Sequence, residues 1–374
     1  MPLFRPAPIR LQPYFGYRSR TRLKLQARAL SQPQRRFEPG ARARVIRTML
    51  AQFASREVAG VHVTLRIERQ GVPPLVAQTV SDPEGFIHFD LPLEPAWDLP
   101  RQPAWESAEL SFIGPDGPQC FAAHVLAPGL DSRLAVISDI DDTIIETGIT
   151  AGWRSVARNW RRLIAQLPGE RLTVPGADAF YDALGGGEIL PQNDRPLEKR
   201  ITATRRPFFY VSSSPWNLFA YLVTFQRSKG LPLGPLLLRD WGLDRATFGS
   251  ASHGVHKRDA INAILTMYPE LRFALIGDDT QGDLPAYAEA VEAFPGRIAA
   301  VFLRTADEEA MSASEIAACA TIRAAGVALW LGDSFTVGAQ FLQALGFTPG
   351  GETEQIVKAV EEPNEKIGAA QKPA

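Results

Sequence analysis

The sequence predicts an α/β fold in which a parallel sheet carries helices on both faces, preceded by a small antiparallel β-sandwich. Three observations carry that expectation. Between about residues 14 and 128, short alternating runs recur at close spacing with Pro- and Gly-rich connections, the pattern of a sandwich. After Pro128-Gly129-Leu130-Asp131 the grammar changes to strands alternating with helical segments. Apolar runs in this second part end abruptly at Asp139, Ser212 and Asp278, as parallel strands do where they deliver polar groups to a rim.

Taken in order, residues 1–13 read as an arm, 14–128 as the β domain, 129–349 as the α/β domain and 350–374 as a tail without periodicity. In the β domain, Tyr14 to Leu30 suggests one early strand whose charged face holds Arg18, Arg20, Arg22 and Lys24. Residues 45–53 read as helix or loop. Val61 to Arg69 alternates cleanly, a half-buried strand. Asp82-Pro83-Glu84-Gly85 has turn chemistry between two strand-like runs and predicts a hairpin. Ala108 to Ile113 and Gln119 to Leu126 add strands on either side of Pro115-Asp116-Gly117. His62 and His88 fall on strands and read as ordinary strand histidines.

In the α/β domain the first strand is 134–138. A basic helix is expected over 153–167, with Arg154, Arg158, Arg161 and Arg162 at helical spacing beside Trp153, Val156, Trp160, Leu163 and Ile164. It reads either as a lid touching substrate or an anionic bilayer, or as an amphipathic helix on the core. Pro175 starts a helix that the glycines at 185–187 stop. Pro207 to Val211 is a buried strand, followed by Ser212-Ser213-Ser214-Pro215-Trp216 and a helix from about 217 to 228. Strands are expected over 231–239, 272–277, 297–303 and 327–330, and helices over 257–267, 284–293, 313–325 and 334–346.

Composition excludes little: 45% apolar and 22% charged residues describe an ordinary globular chain. Net charge is −1, but residues 1–50 carry 12 Arg or Lys against the single acid Glu38. Such an arm suits an anionic membrane surface or nucleic acid, and suits a solvated surface as well. Cys120 and Cys319 are far apart without metal-type spacing, which argues against a disulfide framework or zinc site and fits a reducing compartment. No apolar run reaches the length of a signal peptide or membrane span, so the expected location is cytoplasmic, with at most peripheral membrane contact.

The rim of the parallel sheet is where ligands bind in such folds. Four signals converge there: Asp139 with Asp141, Ser212 with its neighbouring serines, Lys257 at a helix start, and Asp278 with Asp283. Clustered carboxylates suit Mg2+, which takes oxygen ligands and keeps room for phosphate oxygens. Hydroxyls ahead of a helix make an anion seat, although they also make an ordinary cap. A carboxylate can attack phosphorus while another, two residues on, handles the proton. The set therefore points to phosphoryl transfer.

Asp139-Ile140-Asp141-Asp142-Thr143, Ser212, Lys257 and Gly277-Asp278 with Asp283 resemble the four motifs of the haloacid dehalogenase superfamily of phosphatases. More closely, Ser138 to Ile144, Val211 to Leu218, Ser252 to Lys257 and Gly277 to Asp283 resemble the actin-patch-protein type of Mg2+-dependent phosphatidate phosphatase, a relative of the lipins. The resemblance covers about residues 134–305, and its Ser-Ser-Ser-Pro-Trp-Asn run is most specific to that subgroup. It implies a doubly wound phosphatase domain that hydrolyses a lipid phosphomonoester. Asp139 would be nucleophile and Asp141 general acid and base. Mg2+ would be held by the Asp139 carboxylate, the Asp141 backbone carbonyl and Asp278. Thr143 would orient the loop, Ser212 and Ser213 would bind phosphate, and Lys257 would pair with nucleophile and phosphate. Asp283 would orient Lys257 or complete the outer shell of the metal.

This chain departs from the resemblance where Gly-Asp-Ser-Gly-Gln-Lys-Asp is expected and Gly277-Asp278-Asp279-Thr280-Gln281-Gly282-Asp283 stands. The missing Lys and the added Asp279 bear on the outer shell and on substrate choice. The expected partner is a phosphate-bearing lipid at an anionic surface rather than nucleic acid. The alternatives are a phosphatase of small soluble phosphomonoesters and an idle lipid-phosphate-binding module, which the presence of both Asp139 and Asp141 disfavours.

Overall fold

The computed structural model describes residues 8–31, 56–69, 71–115, 117–140, 176–189, 201–239, 250–279, 282–305 and 311–345. The expected segment 45–53, the basic helix over 153–167 and the tail from 350 lie outside the described residues. Two compact units emerge. Of the described residues, one takes in those up to Pro100 together with Ala104–Pro128; the other takes in Arg101–Pro103 and those from Gly129 onward.

The first unit is a nine-stranded sheet. Its strands are β1 (Ile9–Pro13), β2 (Gly16–Arg18), β3 (Arg22–Ser31), β4 (Arg56–Glu57), β5 (His62–Arg69), β6 (Val72–Val80), β7 (Phe86–Pro92), β8 (Ala104–Gly114) and β9 (Gly117–Ala127). The main path runs β1-β3-β2-β9-β8-β5-β6, with β4 and β7 also pairing β3. All pairs are antiparallel except β2 with β9. Alternation sets the faces: Val63, Leu65 and Ile67 are buried while His62, Arg66 and Glu68 on the same strand are exposed. Leu23, Leu25 and Ala27 of β3 share one core with Ile87 and Phe89 of β7, Leu110 of β8 and Val125 of β9.

Two expectations need correcting here. The single strand over 14–30 is replaced by β2 and most of β3, because a turn at Ser19–Arg22 folds the segment back into an antiparallel pair. The turn at Asp82–Gly85 does form, with the Asp82 carboxylate accepting from Glu84 N and Phe86 N. Its flanking strands are not a hairpin, however: β6 pairs β5 and β7 pairs β3. The turn chemistry is local, whereas the choice of strand partner is made by the shared core.

The second unit holds a six-stranded, wholly parallel sheet of order β14-β13-β10-β15-β16-β17. These are β10 (Leu134–Asp139), β13 (Phe208–Pro215), β14 (Leu236–Arg239), β15 (Arg272–Asp278), β16 (Ile298–Arg304) and β17 (Ala328–Gly332). A separate two-stranded ladder joins β11 (Glu188–Ile189) to β12 (Ala203–Thr204). Among the described residues the helices are α1 (Ala177–Gly185), α2 (Phe219–Ser228), α3 (Ser250–Met267), α4 (Asp283–Ala293), α5 (Ala313–Ala324) and α6 (Phe335–Ala344). Strand β10 lies between β13 and β15, and all six of its residues are buried, which explains its unbroken apolar run.

Helix ends follow local chemistry. Gly186 closes α1 in the left-handed conformation at φ 72°, which glycine adopts without penalty. The buried Arg206 guanidinium donates to the last carbonyls of that helix, Ala183 and Leu184. Ser312 and Glu315 form a reciprocal capping box at the start of α5. The expected helix over 257–267 in fact begins at Ser250, so Lys257 lies two turns in rather than at a helix start. The polar Ser250–Val255 stretch and Gly254 carry no apolar period to reveal that extension. Among the described residues no helix is long and apolar enough to cross a membrane.

Candidate active site

Strand β10 ends by delivering Asp139 to the carboxyl rim of the parallel sheet. Its register fixes what lies beside it. Asp139 is level with Val211, so Ser212 comes next on one neighbour, while Ser138 is level with Ile276, two residues before Asp278 on the other. Alternation sends Ser138 to the opposite face from Asp139. There Ser138 Oγ donates to Asp139 O at 2.6 Å and lies 2.6 Å from Tyr181 Oη on α1. Since the only serine hydroxyl proton is used on the carbonyl, Tyr181 is the donor in the second bond.

Lys257 reaches the rim from α3. Its Nζ lies 3.3 Å from Asp139 Oδ1 and donates to Asp283 Oδ1. The three side chains are at most 2% exposed, so each charge needs the others. Burial by itself lowers the Lys257 pKa, but Asp139, Asp283 and Asp278 outweigh that and hold the ammonium above its ordinary range. Burial raises the Asp283 carboxyl to about 6, against the opposing pull of Lys257 and with a further push from Asp278.

Asp283 opens α4 behind Gly282, which sits at φ 76°. Its second oxygen accepts from Asp278 N at 3.1 Å, a favourable carboxylate position at a helix N-terminus. Gly277 makes this approach possible, because a Cβ there would run into both Asp283 Oδ2 and Tyr287 Oη. Tyr287, one turn further along α4, donates to Ile276 O at 2.6 Å. Asp279 is half-buried just beyond β15, with its N donating to Arg304 O at 3.1 Å.

On the other flank, the three serines lie inside β13 rather than in a loop between strand and helix, as their sequence position suggested. The pairing of β13 with β14 shifts register between Val211 and Pro215, which absorbs the irregular backbone. A short 3-10 turn, Trp216–Leu218, then leads into α2. Ser212 and Ser213 are both buried, and Ser212 Oγ accepts from Ser214 N at 2.9 Å. His256, next to Lys257, faces Leu237 O with Nε2 at 3.3 Å and also hydrogen-bonds the Ser212 backbone. Burial lowers its pKa and keeps the imidazole neutral at pH 7. Arg239 ends β14 on this same rim and is 9% exposed.

Asp139, Asp278 and Asp283 each offer a carboxylate oxygen, all within 4.8 Å of one another. The oxygens of Asp283 already accept from Lys257 and from Asp278 N. Asp139 and Asp278 are therefore the better donors for a hard divalent cation, and an all-oxygen set fits one. Of the site residues expected from sequence, Asp139, Lys257, Asp278 and Asp283 come together, and Ser212 and Ser213 line the adjoining strand. Asp141 and Thr143 lie outside the described residues. Sequence reasoning missed Tyr181 and Tyr287, and quoted Gly277 within a motif without giving it a role. The one-turn spacing of Tyr287 from Asp283 was the available signal for one of them.

Residues 134–305 match the family model described as Phosphatidate phosphatase APP1, catalytic domain. Phosphatidate phosphatase APP1 of Saccharomyces cerevisiae is 28% identical over 186 residues, covering 50% of this chain and 28% of that protein. An uncharacterized protein of Schizosaccharomyces pombe is 28% identical over 180 residues, covering 47% of this chain and 26% of that protein. The chain thus spans little more than a quarter of the length of these curated relatives. Among solved structures, a Parabacteroides merdae β-glucuronidase covers 87% of this chain and 38% of its own, at 9% identity and a TM-score of 0.24, which carries no argument.

Proposed function

We propose that the chain, which over residues 134–305 matches the catalytic-domain model of Phosphatidate phosphatase APP1, is a Mg2+-dependent phosphatidate phosphatase of that family. The observation that carries this reading is Lys257 held between Asp139 and Asp283, beside Asp278, at the carboxyl rim of the parallel sheet. We read the second unit as a doubly wound domain of the haloacid dehalogenase type, within residues 129–349. The β unit, residues 14–128, is read as a sandwich.

In the proposed reaction an Asp139 oxygen attacks phosphorus, and the bond from phosphorus to the lipid oxygen breaks. Asp141 gives its proton to the departing oxygen, leaving diacylglycerol and an aspartyl-phosphate. Asp141 then takes a proton from water, which attacks the same phosphorus; phosphate leaves and Asp139 is restored. Lys257 keeps Asp139 ionised and offsets phosphate charge, while Asp283 holds the lysine in place. Ser212 and Ser213 bind phosphate oxygens, and Thr143 orients the loop after the nucleophile. Asp139, Asp278 and the Asp141 carbonyl would hold Mg2+, which supplies Lewis-acid stabilisation of the phosphoryl oxygens. Asp279, standing where the related motif has Ser, adjusts the outer shell. Catalysis is read as cytoplasmic, with the basic N-terminal region meeting an anionic membrane surface.

Phosphate release from phosphatidate vesicles and from soluble phosphomonoesters, with Mg2+ and with EDTA, tests this. Metal-dependent release favouring phosphatidate is expected. Preference for soluble esters would replace the lipid substrate with a small one, and no release from any substrate would overturn the phosphatase reading.

A further inference from the structure

We propose that Arg239 is a substrate-binding residue, a second cation that receives the phosphate beside Ser212. This rests on the phosphatase reading of the rim and adds to it a residue outside the four motifs. Arg239 is the last residue of β14, paired in register with Pro215, three positions after Ser212. It lies at the same carboxyl rim, on the flank where the serines end β13.

Charge bookkeeping motivates the assignment. Among the described residues, the buried cluster sets the three carboxylates of Asp139, Asp278 and Asp283 against the one ammonium of Lys257, an excess of two acids. A divalent cation offsets these two, and a phosphomonoester then brings up to two more. Lys257 is already committed to Asp139 and Asp283. A guanidinium stays charged at any working pH, and its planar fork matches two phosphate oxygens at once.

Among the described residues, position separates Arg239 from Arg304, which also ends a strand at this rim. Arg304 ends β16 on the opposite flank, and its Nε faces Asp333 O at 3.4 Å, beyond the end of β17 and away from β10. Arg239 is on the serine side, close enough for its charge to act on His256. His256 in turn reaches Leu237 O, in the strand that ends at Arg239, from the helix that carries Lys257.

The test uses the full chain as wild type, Arg239→Gln and Arg239→Lys, with para-nitrophenyl phosphate as substrate and inorganic phosphate as competing ligand. In Arg239→Gln the KM and the inhibition constant for inorganic phosphate are expected to rise together by roughly 10- to 100-fold, while kcat changes far less. Arg239→Lys keeps the charge but loses the fork, so a smaller parallel rise is expected. Unchanged KM and inhibition constant in both variants would overturn the assignment, as would a fall in kcat alone. If Arg239→Gln does not fold, the lysine variant decides: a parallel rise of several-fold supports the contact, and wild-type values refute it. Protection by inorganic phosphate against thermal unfolding separates this inference from the reading beneath it. Protection that weakens in the variants while no form turns over substrate would keep the phosphate contact and remove the hydrolase. Equal protection in all three proteins would remove Arg239, whatever the turnover.

Discussion

The Lys257 ammonium lies 3.3 Å from the Asp139 carboxylate while donating to Asp283, so one helical side chain ties the end of β10 to the start of α4. Removing one member of such a buried set strands the others. Lys257→Met leaves two buried carboxylates facing each other and should cost about 3–5 kcal/mol. Urea unfolding in metal-free buffer measures this. A loss below about 1 kcal/mol would be the value of a solvated pair and would contradict the burial described.

Gly277→Ala should act on the same set from the backbone side. The added methyl meets Asp283 Oδ2 and Tyr287 Oη, two groups fixed by bonds to Asp278 N and Ile276 O. Neither is the loose end of a flexible chain, so overpacking of about 1–3 kcal/mol is expected, together with lost turnover as Lys257 shifts with Asp283. Thermal unfolding and phosphate release check both parts; wild-type behaviour in each would mean that the rim tolerates a displaced Asp283.

Tyr181→Phe probes the opposite face of β10. It removes the donor to Ser138 Oγ but leaves Ser138 donating to Asp139 O. The cost should be about 1 kcal/mol, with kcat within roughly threefold of wild type. A large loss of turnover would show that Tyr181 controls the nucleophile's backbone rather than only packing beneath it.

His256 gives the protein a pH response of known sign. Its folded-state pKa is depressed, by burial first, below the ordinary 6.5. Above pH 6.5 the imidazole is neutral in both folded and unfolded states and contributes its full share of stability. As pH falls below 6.5 the unfolded chain takes up the proton first, and stability declines until the folded-state pKa is passed. Urea midpoints at pH 7.5 and 5.5 for wild type and His256→Gln measure this: the wild type should lose more on acidification. Equal losses would place the imidazole in solvent.

The sequence made the rim legible because three of its six strands are apolar runs that meet a polar residue, Asp139, Ser212 and Asp278. Burial of the central strand on both faces produces such runs, and the fold needs them in sequence order. Pairing was less legible. Asp82–Gly85 carries full turn chemistry, yet its flanking strands pair with β5 and β3 instead of each other, because partner choice depends on contacts distant in sequence. Lys257 was found as a residue type but misplaced on its helix, since Ser250–Val255 is polar and holds a glycine. Gly277 and Tyr181 act through close approach and a buried hydroxyl, and neither leaves a periodic trace.

The most direct measurement of the central claim is phosphate release from phosphatidate vesicles by wild type and Asp139→Asn, each in Mg2+. The amide keeps the shape of the side chain but cannot act as the nucleophile, so release should fall roughly a thousandfold or more while inorganic phosphate still protects the variant against heat. Release by Asp139→Asn within tenfold of wild type would contradict the account at its base.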